Sequence, residues 1–269
     1  MRFAIILAAL LSAFPAAKAL AHEFWIEPLE FQVSSGAEVQ ARLRIGQDFE
    51  GVSASYLPRN FTRFDVVAGG ELRPVEGRLG NNPAMGVAGL PDGLAVILYE
   101  TTGNTLTYDE WAGFLRFAEH KDFGDIAARH DARGLPRDGF REAYTRHAKS
   151  LVAIGGGAGQ DTEFGLRTEI VALANPYTDD LTGGFPVRVL LEGAPRPDVQ
   201  VELFDRAPDG SVTVTLHRTD ADAIAVLPVD PGHAYLVDAV TLLPLQDDAE
   251  AGPVWESLWA SLTFAVPGE

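Results

Sequence analysis

The chain has 269 residues, 38 acidic against 21 basic, and no cysteine. Disulfides and thiolate metal sites are therefore excluded, and nucleic acid and anionic lipid surfaces are disfavoured as partners. The length suits one large domain or two ordinary ones, and any metal must be taken by histidine, carboxylate, amine, carbonyl or methionine.

The first 21 residues read as a secretion signal. Arg2 supplies the positive end, Phe3 to Phe14 form a mostly apolar run too short to span a bilayer, and Ala19-Leu20-Ala21 is a small-x-small cleavage site. Cleavage after Ala21 leaves 248 residues, from which Arg2 and Lys18 are gone, so 19 basic residues face 38 acidic ones for a net charge of −19. No later stretch approaches the roughly 18 consecutive apolar residues of a spanning helix. A periplasmic protein without a membrane span is expected. His22 then becomes the first residue, offering both an α-amine and an imidazole, which together chelate a divalent ion such as Cu²⁺ or Ni²⁺ at little proton cost. The plainer reading is a cleavage site that a histidine happens to follow.

Beyond the signal, Val39 to Ile45 alternate like a half-buried strand, and Phe64–Val67 and Ala95–Tyr99 look like two more. Gly69-Gly70 is a hairpin signal. Thr107 with Glu110 forms a capping box, after which Trp111, Phe114, Leu115 and Ala118 recur at helical spacing. Phe140, Tyr144, His147, Ala148 and Leu151 fall on one face of a second predicted helix. Gly155 to Gly159 lack the Lys-Ser/Thr of a phosphate loop and read as a linker. Strand rhythm then returns at Phe185–Leu191, Val199–Phe204, Val212–Leu216, Ala223–Leu227 and Tyr235–Val240, with turns at Asp209-Gly210 and Asp230-Pro231-Gly232. A last strand runs through Leu258, Ala260, Leu262 and Phe264. These elements predict a mainly β protein of two sandwich domains, immunoglobulin- or transthyretin-like. The first covers 22–160 with a helical insertion across about 107–152, and the second covers 161–269.

Of the six histidines, none pairs at the i, i+4 spacing of a helical metal site. His147 sits on an apolar stripe, where a core role competes with ligation. His217 alternates with Val214 and Leu216 toward solvent, and His233 follows a Pro-Gly turn. There is no G-x-S-x-G, H-E-x-x-H or cysteine nucleophile, so no catalytic motif is present. The candidate metal ligands are His22, His147 and His233.

The segments His22 to Pro28, Gly46 to Gly51, Tyr144 to Leu151, Arg218 to Asp222 and Trp255 to Phe264, in this order, resemble a bacterial periplasmic family of unknown function associated with nickel and cobalt uptake. Relatives often carry histidine where this chain has Gln47 and Thr241, and glycine where it has Ala223. The resemblance implies an exported accessory that binds nickel, cobalt or copper at its N-terminal histidine and works with an inner-membrane metal transporter. The alternative is a non-metal envelope interaction module in which Trp25, Trp255 and Trp259 form core or interface. A copper-dependent oxidase with a histidine brace is more distant, since it needs a second histidine facing the same metal position.

Overall fold

A computed structural model describes residues 23–268; residues 1–21, expected to be a secretion signal, and His22 lie outside them. Strands β1 (Glu23–Pro28), β2 (Gln32–Val33), β3 (Val39–Gln47), β4 (Glu50–Ala54), β5 (Phe61–Ala68) and β6 (Glu71–Pro74) come first. Then follow β7 (Met85–Val87), β8 (Gly93–Thr101), β9 (Asn104–Tyr108), helices α1 (Trp111–His120) and α2 (Ile126–Asp131), and the long β10 (Phe140–Ile154). The remainder is β11 (Thr168–Ala172), β12 (Phe185–Leu191), β13 (Ala194–Pro195), β14 (Gln200–Arg206), β15 (Val212–Arg218), β16 (Ile224–Leu227), β17 (Ala234–Pro244) and β18 (Trp255–Ala265). The protein is mainly β. Among the described residues no helix is long and apolar enough to cross a membrane.

One ten-stranded sheet runs through both halves of the chain. Its order is β15-β14-β17-β18-β10-β8-β5-β6, with β2 and β9 also paired to β10. The join is the parallel pairing of β10 with β18, from Glu142↔Trp255 to Ser150↔Thr263. Two four-stranded sheets, β1-β3-β4 with β7 and β11-β12-β13 with β16, flank it. Successive side chains on a strand point to opposite faces, which identifies what each small sheet covers. On β8, Ala95, Ile97 and Tyr99 join the core under β1, β3 and β7, whereas Leu94, Val96 and Leu98 join the core under β11, β12 and β16. The small sheets thus lie on opposite faces of the large one.

The two helices share a face with β1. Ser261 and Thr263 of β18 donate side-chain hydrogen bonds to the carbonyls of Phe24 and Ile26 at 2.8 and 2.6 Å. Trp259, on the same side of β18, stacks on Phe117 of α1 at 5.6 Å. Trp111, Phe114, Leu115 and Ala118 turn inward as their spacing predicts, onto Val240, Leu242, Trp255 and Trp259. The predicted strands are present, β12 with the predicted bounds. Gly69 and Gly70 form the two-residue hairpin between β5 and β6, both at positive φ (59° and 81°).

The helical segment is shorter than the spacing suggests. Residues 140–152, read as a second helix, belong to strand β10. This strand is covered on both faces over its second half, so the alternation that marks a half-buried strand is lost. Phe140, Tyr144, His147 and Leu151 happen to recur at steps of four, three and four. The capping box is absent as well: Thr107 pairs with Arg141 inside a sheet, and Glu110 precedes α1 without a side-chain cap.

Candidate metal centre

Strand β1 lies edge-on to the large sheet, so its two rows of side chains enter different compartments. Phe24 and Ile26 join the sandwich core, while on the other row Glu23 reaches the end of α1, Trp25 packs with Phe49, Phe204 and Leu236, and Glu27 pairs with Arg44 and Arg206. Helix α1 ends there, with His120 as its last residue and Lys121 as its cap. A cation suits that end of a helix, where the exposed carbonyls carry partial negative charge. From the large sheet, Glu202 of β14 and Asp238 of β17 sit opposite one another in register. Each is a buried carboxylate flanked on both sides by apolar neighbours, Val201 and Leu203, and Val237 and Ala239.

These groups converge on one point. Lys121 Nζ lies 2.9 Å from Glu202 Oε2, 2.9 Å from Asp238 Oδ2 and 3.5 Å from Glu23 Oε1. Its ammonium also stands 4.9 Å from the centre of the Trp259 ring. His120 Nε2 is 3.6 Å from Glu202 Oε2. One ligand atom each from Glu23, His120 and Glu202 fall within 4.8 Å of one another. Glu23 is 3 % exposed, yet its Oε2 has no hydrogen-bond partner. A buried carboxylate oxygen without a partner is costly unless something else satisfies it. The His120 side chain is 54 % exposed, which leaves this side open to solvent.

The electrostatics follow from the packing. Burial raises the Glu23 carboxyl above its ordinary range despite Lys121 nearby. Burial pushes Asp238 up to about 7 against the pull of Lys121. Burial alone would raise Glu202 too, but His120 and Lys121 outweigh it and hold its carboxyl low. The Glu202 carboxylate beside it raises His120. Burial opposes the charge on Lys121, and the three carboxylates more than compensate. Half-buried Arg146 of β10 is within electrostatic reach of Glu23 and Asp238. Imidazole and carboxylate donors in this spacing, with an oxygen of Glu23 still to be satisfied, fit a divalent ion of intermediate hardness.

Of the histidines singled out in the sequence, His22 precedes Glu23 in the chain and lies outside the described residues. His147 is buried on the opposite face of the large sheet, in register with Ala260. Burial pushes its imidazole down to about 4. His233 bonds Asp205 through Nδ1 at 2.6 Å and forms a separate group with Asp205 and Asp230. His233 is level with Val266, six residues along β18 from the register of His147. At about 3.4 Å per residue the two are some 20 Å apart and cannot hold one ion. The groups gathered around residue 23 are instead His120, Lys121, Glu202 and Asp238. The available signal for the last two was a single carboxylate inside Val201-Glu202-Leu203-Phe204 and inside Val237-Asp238-Ala239-Val240.

No curated protein matches the chain. A solved structure of a tetra-tandem repeat in the extending region of a large adhesion protein is similar at 10 % identity and a TM-score of 0.21. The match covers 91 % of this chain and 49 % of that one, so the chain spans about half of its length. The model of a domain of unknown function, DUF4198, matches residues 19–242, and the chain belongs to that family.

Proposed function

We propose that the protein binds a divalent transition metal, nickel, cobalt or copper, as an exported uptake or handling accessory. The ion is held between the N-terminal histidine and the carboxylate–imidazole group of Glu23, His120 and Glu202. The observation that carries this reading is the buried, unpartnered Glu23 Oε2 within a set of donors already spaced for one ion, on the residue that follows His22. Processing after Ala21 adds an amine and an imidazole to that set, and mixed N/O donors without thiolate suit these three metals. A transporter in the inner membrane is the natural recipient of such an ion. In the alternative, a non-metal envelope interaction module, Trp25, Trp255 and Trp259 serve as core rather than interface, because all three are buried.

The test uses protein exported through its own signal. Intact mass gives the first residue, and Ni²⁺ and Cu²⁺ titrations give the affinity. A start at His22 with one equivalent of metal, weakened at least roughly tenfold in each of His22→Ala, His120→Ala and Glu202→Gln, is expected. Binding that is indifferent to His120→Ala and Glu202→Gln, or no tighter than at an exposed histidine, overturns the reading.

A further inference from the structure

The position an ion would take among the carboxylates already holds a positive charge. Lys121 Nζ touches Glu202 Oε2 and Asp238 Oδ2 and faces Glu23 Oε1, so three buried carboxylates point at one ammonium. The Glu202 oxygen it engages is also the one nearest His120 Nε2. We infer that Lys121 is a resident counter-cation that competes with the metal for Glu23 and Glu202 and keeps the affinity low enough for the ion to be handed on. This inference rests on the metal reading proposed above and adds how the site is tuned.

Two considerations support the role. Three buried carboxylates cannot stay charged side by side without a cation, because each would lose its hydration uncompensated. Lys121 supplies that cation in the metal-free protein and keeps the donors in place. Once a divalent ion enters, the same ammonium becomes a like charge a few ångströms away, or must withdraw from Glu202. Either event weakens binding relative to a site with a neutral residue there. A lysine suits this exchange better than an arginine. Its ammonium is a compact point charge on a flexible stem, and it does not form the two-pronged contact that locks an arginine to a carboxylate. The composition agrees: the carboxyl groups of Glu23, Glu202 and Asp238 face two basic side chains, Lys121 and Arg146. A site built only to retain metal would have no need of both cations.

The experiment compares Ni²⁺ affinity, and the rate at which EDTA removes the ion, for the exported protein and for Lys121→Met and Lys121→Arg. Lys121→Met is expected to bind at least about tenfold tighter and release more slowly, whereas Lys121→Arg, which keeps the charge, should not tighten. Lys121→Met should also melt lower than the parent without metal and gain more from added Ni²⁺. If it fails to fold, Lys121→Met with Asp238→Asn removes one charge of each sign and is expected to bind more tightly than the parent as well. Parent-like or weaker binding by a folded Lys121→Met protein overturns the inference while leaving the metal site standing. Absence of binding in every variant overturns the metal reading itself. Binding by Lys121→Met alone supports the competition and shows that Lys121 shuts the site in the parent.

Discussion

Lys149 Nζ and Asp161 Oδ2 lie 2.8 Å apart across the β10–β11 connection, with almost nothing of either side chain exposed. Glu169 Oε1 is the second carboxylate on the same ammonium, at 3.0 Å, and the Thr162 carbonyl accepts its third hydrogen bond at 3.1 Å. The carboxylates are held in turn by backbone amides: Thr162 and Ala172 donate to Asp161, and Phe164 and Leu166 to Glu169. This triad fixes the path of the glycine-rich connection that leaves β10.

Removing the cation alone should be severe. Lys149→Met leaves two buried carboxylates facing each other, and breaking a buried pair in this way costs about 3–5 kcal/mol. The triple change Lys149→Met, Asp161→Asn, Glu169→Gln removes the charges together and should recover most of that loss. Urea unfolding of the two proteins checks this. A Lys149→Met midpoint equal to the parent would mean that the ammonium is not the group holding these carboxylates.

Two buried groups on β10 make stability depend on pH in opposite senses. Burial lowers His147 from 6.5 to about 4, so below pH 6.5 the unfolded chain takes up a proton that the folded chain refuses. Stability from His147 is complete above pH 6.5 and is lost as the pH falls toward 4, by at most about 3 kcal/mol. Glu142 is the reverse. Burial raises it from 4.5 to about 7, against the hydrogen bonds from Ser257 and Tyr108. Between those values the folded state keeps a proton that the unfolded state gives up, so stability is lost as the pH rises from 4.5 to 7. Melting temperatures measured from pH 4 to 7.5 should therefore show less loss on the acid side in His147→Leu and less loss on the neutral side in Glu142→Gln. Parallel profiles for parent and Glu142→Gln would remove the carboxyl from the account.

What the sequence revealed and what it concealed divide along a physical line. Phe185–Leu191 was readable because β12 alternates between a covered and a more open face, and α1 because Trp111, Phe114 and Ala118 leave a polar side toward solvent. β10 was not readable as a strand, since a strand covered on both sides loses the two-residue rhythm. At the candidate site, the sequence pointed to His22 and gave the neighbouring Glu23 no role of its own. Its partners Lys121, Glu202 and Asp238 come from three other elements, and only the β14–β17 register and the docking of α1 bring them together. The one trace they leave in the sequence is a charge where an apolar strand should have none. Ala223 adopts φ 62°, because the turn from Asp220 to Ala223 requires a left-handed residue there, a conformation that glycine adopts more readily.

The turn between β3 and β4 joins packing to the site. Asp48 and Phe49 both have positive φ, 53° and 60°, an arrangement that is costly for a bulky residue. Phe49 is nevertheless completely buried, 5.5 Å from the Trp25 ring and with the Arg206 guanidinium 3.7 Å above its face. Arg206 in turn donates to the Phe49 carbonyl and to Glu27. Burial outweighs strain here: Phe49→Ala should cost about 3–5 kcal/mol. Asp48→Gly should change stability by only about 0.5 kcal/mol, since relief of the left-handed strain is offset by the greater freedom of glycine in the unfolded chain. Because Phe49 pins Trp25, and Trp25 shares a face of β1 with Glu23, Phe49→Ala should also shift tryptophan emission to the red and weaken Ni²⁺ binding, whereas Asp48→Gly should do neither. If folded Phe49→Ala protein bound Ni²⁺ as tightly as the parent, Glu23 would not depend on this anchor for its position.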